Sequence, residues 1–151
     1  MKVLLVVDLQ PEFKDKDGQY ERILQFVKEA KNVGYDYVIG TQCSNSVDSP
    51  FMKYNNWSNC LDGCEPLDYE PDLKLEKQTY GLSSYGVLPM DNDYDIIGFN
   101  TDACVLKISM DMFDRNYNIR VLTDYCYSSS GSAQHSSGVK LLKHLMSDAV
   151  I

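Results

Sequence analysis

No apolar run in this chain approaches the roughly 20 residues that a bilayer-spanning helix needs, so a transmembrane helix is excluded. Nor do Lys and Arg cluster anywhere. With 14 basic against 22 acidic residues and a formal net charge of -8, the chain has no footprint for a phosphate backbone or an anionic lipid surface. Nucleic acid and membrane are therefore not expected as partners. No export signal is expected either, because the apolar run Val3–Val7 is too short for a signal-peptide core and is stopped at once by Asp8. The expected location is the cytoplasm. In that reducing compartment Cys43, Cys60, Cys64, Cys104 and Cys126 are thiols, and an odd number of cysteines argues against a complete disulfide framework. Histidine is scarce, with only His135 and His144, both late in the chain. Internal repeats, heptads and low-complexity tracts are absent.

What is present is ordinary globular composition, 44% hydrophobic and 24% charged. At 151 residues the chain can bury one sizeable core but not two, so a single domain over residues 1–151 is expected. Val3–Val7 lacks polar alternation, the pattern of a strand covered on both faces of a parallel sheet, and Asp8 stands at its carboxyl end. Tyr20, Ile23, Leu24, Val27 and Ala30 recur at helical spacing before Gly34, and Tyr37–Gly40 supplies a second strand. Strand, helix and strand make a βαβ unit. Residues 43–72 are rich in Asn, Ser, Asp, Pro and Gly and read as a long irregular excursion, the kind of loop that often carries function. Beyond it come a brief strand at Leu73–Leu75, a strand at Tyr94–Gly98, a helix from about Asp102 to Tyr117, a strand at Ile119–Leu122 and a helix from about Ala133 to Met146. Ser128–Ser132 is a polar turn able to cap that last helix, and Val150–Ile151 either begins an edge strand or ends the chain. The expected fold is a three-layer α/β/α domain with a Rossmann-like, doubly wound parallel sheet of five or six strands.

In such a sheet the ligand site lies beyond the carboxyl ends of the strands, where strand order reverses. Asp8, Lys77 and Cys104 fall there. Cys104 is expected in the first turn of a helix, where unpaired N–H groups and the helix dipole favour thiolate and can hold a developing oxyanion. Asp8 is then a base for the thiol proton, and Lys77 a cation beside both. Taken singly, each has a plainer reading: Cys104 as a small buried hydrophobe, Asp8 as a turn former, Lys77 as a solvated charge. A Cys–His dyad would need His135, more simply a cap or solvated side chain, while His144 reads as a surface residue.

These residues stand in segments that resemble a known pattern. Val6-Val7-Asp8-Leu9-Gln10-Pro11-Glu12-Phe13 resembles the first-strand motif of the isochorismatase-like cysteine hydrolases, the family that includes nicotinamidase-related amidases. Ile97-Gly98-Phe99-Asn100-Thr101-Asp102-Ala103-Cys104-Val105 resembles their nucleophile motif, and Gly40-Thr41-Gln42 and Lys77-Gln78-Thr79-Tyr80 are similar to two further signatures. The resemblance implies an Asp8–Lys77–Cys104 triad working through an acyl-enzyme or thioimidate-like intermediate on an amide-type C–N bond, without a cofactor. It implies a non-proline cis peptide at Phe99–Asn100 and an oxyanion hole from the amides of Asn100 and Cys104. Phe13 and Trp57 become substrate-binding candidates, with core or loop packing the plainer reading of each. Homo-oligomers are implied too.

The chain departs from the pattern where nicotinamidases carry an Asp-x-His pair and a further His for a metal. The corresponding positions hold Cys43, Asn45 and Asn59, so no metal is expected at that site. A thiolate site of Cys43, Cys60 and Cys64 is conceivable, but their irregular spacing favours ordinary thiols. Tyr80-Gly81-Leu82-Ser83-Ser84-Tyr85 departs from the commoner Tyr-Ser-x-Phe form, which bears on pocket shape. The leading expectation is a metal-independent amidohydrolase acting on a small molecule. Nicotinamidase proper, hydrolysis of an isochorismate-like vinyl ether, and a catalytically idle interaction module are the alternatives.

Overall fold

Residues 1–151 are described by a computed structural model. Strand β1 (Lys2–Val7) alternates its side chains between two cores: Val3, Leu5 and Val7 join one cluster, Leu4 and Val6 the other. That is why the segment carries no polar alternation. A 3-10 turn at Pro11–Phe13 follows, then α1 (Gln19–Lys28), which buries Tyr20, Ile23 and Val27. The Asp15 carboxylate accepts from the N–H groups of Gln19 and Tyr20 at 3.1 and 2.7 Å, satisfying the first turn of α1 in place of a side chain at the cap itself.

Strand β2 (Tyr37–Cys43) runs three residues past the expected end at Gly40. Thr41 and Gln42 are polar yet buried, which is why a hydrophobicity reading stops short of them. The excursion holds one short helix, α2 (Pro50–Asn55), whose cap Ser49 accepts from Met52 N–H and whose first position is a proline. Strand β3 (Leu73–Lys77) includes Lys77 as its last residue instead of preceding it. Then come β4 (Asp93–Phe99), α3 (Cys104–Asp114), β5 (Asn118–Tyr127) and α4 (Ser132–Met146). The expected cap from the serine turn is not made: Gly131 occupies the cap position and no side chain bonds there.

All pairings are parallel and the strand order is β3-β2-β1-β4-β5. Order reverses between β1 and β4, so Asp8 and the β4–α3 turn meet at the switch point. Helix α1 covers one face with Tyr20, Ile23 and Val27, while α3 and α4 cover the other with Val105, Ile108, Met112, Leu142 and Met146. The chain end adds a single parallel bridge, Val150 to Val121, at the β5 edge.

Two glycines set the spacing around the switch point. Gly98 has φ +119°, and a Cβ there would stand 2.1 Å from the Val7 carbonyl oxygen. Gly138, inside α4, lets that helix approach so closely that a Cβ would lie 2.7 Å from the Asp102 nitrogen. Both are close approaches that any side chain would block.

Candidate active site

Asp8 leaves β1 with φ +45°, a left-handed conformation that Asp tolerates better than most residues. Its amide donates to Thr41 Oγ1 at 3.0 Å, and the Thr41 hydroxyl donates back to Asp8 Oδ1 at 2.5 Å. Thr41, at the end of the neighbouring strand, thus fixes the carboxylate from both sides. Lys77 reaches in from the edge strand β3, with its Nζ 2.7 Å from Asp8 Oδ2, 2.9 Å from the Thr79 carbonyl oxygen and 3.3 Å from Cys104 Sγ. Two of its N–H groups are thus donated, to the Thr79 carbonyl and the Cys104 sulfur, while Asp8 supplies the counter-charge. The Oδ2 contact is a close ion pair but not an aligned hydrogen bond, so this buried oxygen keeps acceptor capacity within reach of the thiol.

Lys77, a residue type that is seldom buried, is only 3% exposed, and Asp8 is fully enclosed. Burial disfavours the Lys77 ammonium, but Asp8 and the nearby sulfurs outweigh it and the lysine is held protonated. Removing either partner would strand a buried charge.

Cys104 is the first residue of α3. The helix terminus is there as expected, but its pull toward thiolate is opposed by burial and by a neighbouring carboxylate. Burial first and then the Asp8 carboxylate push the thiol well above the ordinary range, and the opposing pull of Lys77 does not compensate. The resting nucleophile is therefore a neutral thiol beside a carboxylate. The Phe99–Asn100 peptide is cis. The Asn100 carbonyl accepts from the N–H groups of Ala103 and Val105 at 3.0 and 3.1 Å, while the amides of Asn100 and Cys104 donate to no acceptor in the protein. Two free N–H groups thus flank the sulfur.

Above Cys104 opens a cavity of about 270 Å³. Phe13, Phe51, Trp57 and Tyr80 form its walls: Phe13 and Trp57 stack at 6.1 Å, and Phe51 sets its edge against Trp57 at 5.3 Å and Tyr80 at 5.0 Å. Asn55, Asn100, Asp102 and Ser130 supply the polar lining. Phe51, Tyr80 and Asp102 were not singled out in the sequence as pocket residues. Phe51 carried a signal, because Ser49-Pro50 before it is a helix start; nothing in the local pattern marks Tyr80 as a wall. A larger depression of about 1240 Å³ lies at the opposite end of the sheet. There Asp95 is already paired with Arg120 at 2.7 Å and Tyr35 at 2.6 Å, and no nucleophile faces it.

His135 is half-buried, neither cap nor solvated: its Nδ1 lies 2.8 Å from Thr101 Oγ1 and its ring packs on Tyr127. It engages the turn before the nucleophile, and burial lowers its pKa. His144 is exposed. The residues at the nicotinamidase metal positions do not fit a metal. Both ends of the Asn45 amide are committed, donating to the carbonyls of Trp57 and Asn59 and accepting from Ser46 N–H and the Ser49 hydroxyl. The Cys43 thiol is buried and pushed up to about 12 by that burial.

A family model described as the isochorismatase domain matches residues 94–150, the stretch from β4 to the chain end. Comparison with curated protein sequences gives no match. Among solved structures, the chain is similar to the pyrazinamidase/nicotinamidase of Streptococcus mutans, with a TM-score of 0.77, 18% identity and 100% of both chains covered. An isochorismatase-like hydrolase from Alkaliphilus metalliredigens gives 0.75 at 16% identity over 95% of this chain and 91% of that one. The N-carbamoylsarcosine amidase of Thermoplasma acidophilum gives 0.72 at 22% identity over the same shares, 95% and 91%.

Proposed function

Starting from a chain that is isochorismatase-like in fold, and over residues 94–150 in sequence, we propose that it is a cysteine amidohydrolase. The reading is that it cleaves an amide-type C–N bond of a small molecule with Asp8, Lys77 and Cys104. One observation carries this: a buried ammonium touching both a carboxylate and a thiol beneath an aromatic cavity.

The chemistry follows from the resting protonation. As Cys104 Sγ attacks the carbonyl carbon, its proton passes to Asp8, whose Oδ2 has a lone pair free to take it. Lys77 remains charged throughout and offsets the negative charge as it moves from carboxylate to sulfur and oxygen. The oxyanion of the tetrahedral adduct is received by the amides of Asn100 and Cys104. Collapse breaks the C–N bond, the leaving amine takes the proton from Asp8, and a thioester remains on Cys104. Water, deprotonated by Asp8, then releases the carboxylic acid and restores the thiol. Phe13 and Trp57 hold the apolar part of the substrate.

The likeness to a nicotinamidase and to a carbamoylsarcosine amidase supports an amide bond as the target. A screen of small primary amides, nicotinamide included, with ammonia release as readout tests the reading. Cys104→Ala should lose at least about a thousandfold in kcat on any amide that is turned over. Hydrolysis at the wild-type rate by that variant would remove the mechanism.

A further inference from the structure

We propose that Glu12, Cys60 and Cys64 form a zinc site, separate from the catalytic thiol, that staples the excursion to the turn after β1. Their ligand atoms all lie within 4.8 Å of one another. A tetrahedral zinc ion, roughly 2.3 Å from sulfur and 2.0 Å from oxygen, needs donors about 3.5 to 3.8 Å apart, so small side-chain adjustments close the group on an ion. Two thiolates and a carboxylate suit zinc, leaving one position for solvent. Cys60 is buried while Glu12 and Cys64 are half-exposed, which gives an ion a path in.

Hydrogen-bond donors surround the carboxylate and face the Cys60 sulfur. Gln10 Nε2 donates to Glu12 Oε2 at 3.1 Å and faces Cys60 Sγ at 3.9 Å, and its Oε1 is held by Cys43 N–H at 2.8 Å. The Glu65 amide donates to Glu12 Oε1 at 2.6 Å. Such supporting hydrogen bonds orient metal ligands. The Cys60 and Cys64 sulfurs are neighbours, and the Cys64 thiol donates to the Cys43 carbonyl at 3.1 Å. The two thiol protons are those a divalent ion displaces, so binding one zinc releases two protons to solvent and strengthens as pH rises. Cys43 does not join the group: its thiol points to the Ser44 carbonyl.

This donor set differs from the Asp and His positions of nicotinamidases, which Cys43, Asn45 and Asn59 fill without offering a site. The segment 44–72 has only the six residues of α2 in regular structure. A metal clip between Glu12 and the Cys60–Cys64 turn closes it covalently in effect, where loop-closure entropy makes such clips effective. Phe13 follows Glu12 directly and Trp57 stands three residues before Cys60, so the clip also sets the spacing of the Phe13–Trp57 stack.

The test uses the full chain, reduced and freed of metal with a chelator, then titrated with zinc against a chromophoric competitor and with cobalt for its spectrum. Expected are one zinc per chain, two protons released, and a near-ultraviolet thiolate-to-cobalt absorption. Cys60→Ser and Cys64→Ser should each weaken zinc binding more than about a hundredfold. Glu12→Gln should weaken it less, and Cys43→Ser and Cys104→Ser should leave it intact. Circular dichroism of the metal-free variants checks that they fold. No zinc bound by a folded, reduced chain would overturn the proposal. So would a cobalt spectrum lost in Cys104→Ser and kept in Cys60→Ser, or a Cys60–Cys64 disulfide that persists under reductant.

Discussion

The carboxylate beside Cys104 does two things to the sulfur that pull in opposite directions. In the proposed mechanism it accepts the proton when bond formation begins, yet at rest its charge raises the thiol. Asp8→Asn separates them, because it removes the negative charge that raises the thiol. The sign is therefore fixed: in Asp8→Asn the Cys104 pKa falls, iodoacetamide labelling at neutral pH speeds up, and amide hydrolysis is lost. Labelling rates from pH 5 to 9, with mass spectrometry locating the modified cysteine, check this. Slower labelling in the variant would contradict the assigned balance of charges. At this scale the sequence was legible where chemistry marks a residue. Asp8 and Lys77 stand out as reactive types at strand ends and Cys104 at a helix start, and the structure brings all three together. The grip of Thr41 on Asp8 was not legible, because a threonine at the end of a β-branched strand has a sufficient reason to be there without it.

Helix α4 approaches the nucleophile turn through Gly138, and here two familiar effects of a glycine-to-alanine change compete. An alanine inside a helix gains about 1 kcal/mol over glycine, whereas an added methyl in a tight contact costs typically 1–3 kcal/mol. The neighbouring atoms are backbone, Asp102 N and Thr101 C, both at 2.7 Å, and cannot swing aside. Gly138→Ala is thus expected to destabilise the fold by about 1–2 kcal/mol in urea unfolding and to lower kcat by shifting the Cys104 turn. A stabilised variant would mean that the helix yields easily. Element types were readable from periodicity, but boundaries drifted where burial departs from hydrophobicity. Strand β2 continues through Thr41 and Gln42 because their polar groups are bonded inside the fold, Thr41 to Asp8 and Gln42 to the Glu65 carbonyl, and β5 runs to Tyr127, five residues beyond Leu122. Lys77 closes β3 for the same reason. Polar residues at the carboxyl ends of parallel strands look like loop, yet this is where a site recruits them.

Across the whole molecule, the buried thiols tie stability to alkaline pH. Burial pushes Cys43 and Cys126 up to about 12, and Cys104 well above its ordinary range, while the unfolded chain ionises them near the ordinary thiol value of about 9. For groups raised in this way the stabilisation is complete below the unfolded pKa and is lost as pH climbs toward the folded one. Stability should accordingly hold to about pH 8 and fall between about pH 9 and 12, each thiol adding a slope of about 1.4 kcal/mol per pH unit. Tyr20, Tyr35 and Tyr85, raised by burial and by bonds to carboxylates, steepen the upper part of that fall. Urea midpoints from pH 7 to 11 give the slope, and Cys126→Ala should flatten it. The global architecture was the most legible feature of all, since a polar-free first strand and an alternating strand–helix rhythm leave few topologies. The pocket was least so, because its walls come from an excursion without periodicity. That division has a consequence for how such a molecule diversifies. Asp8 and Lys77 stand at strand ends and Cys104 at the start of α3, whereas Phe51, Trp57 and the Cys60–Cys64 turn belong to the irregular excursion. Under the proposed function, exchanging the excursion alone would retune which molecule is admitted while leaving Asp8, Lys77 and Cys104 in place.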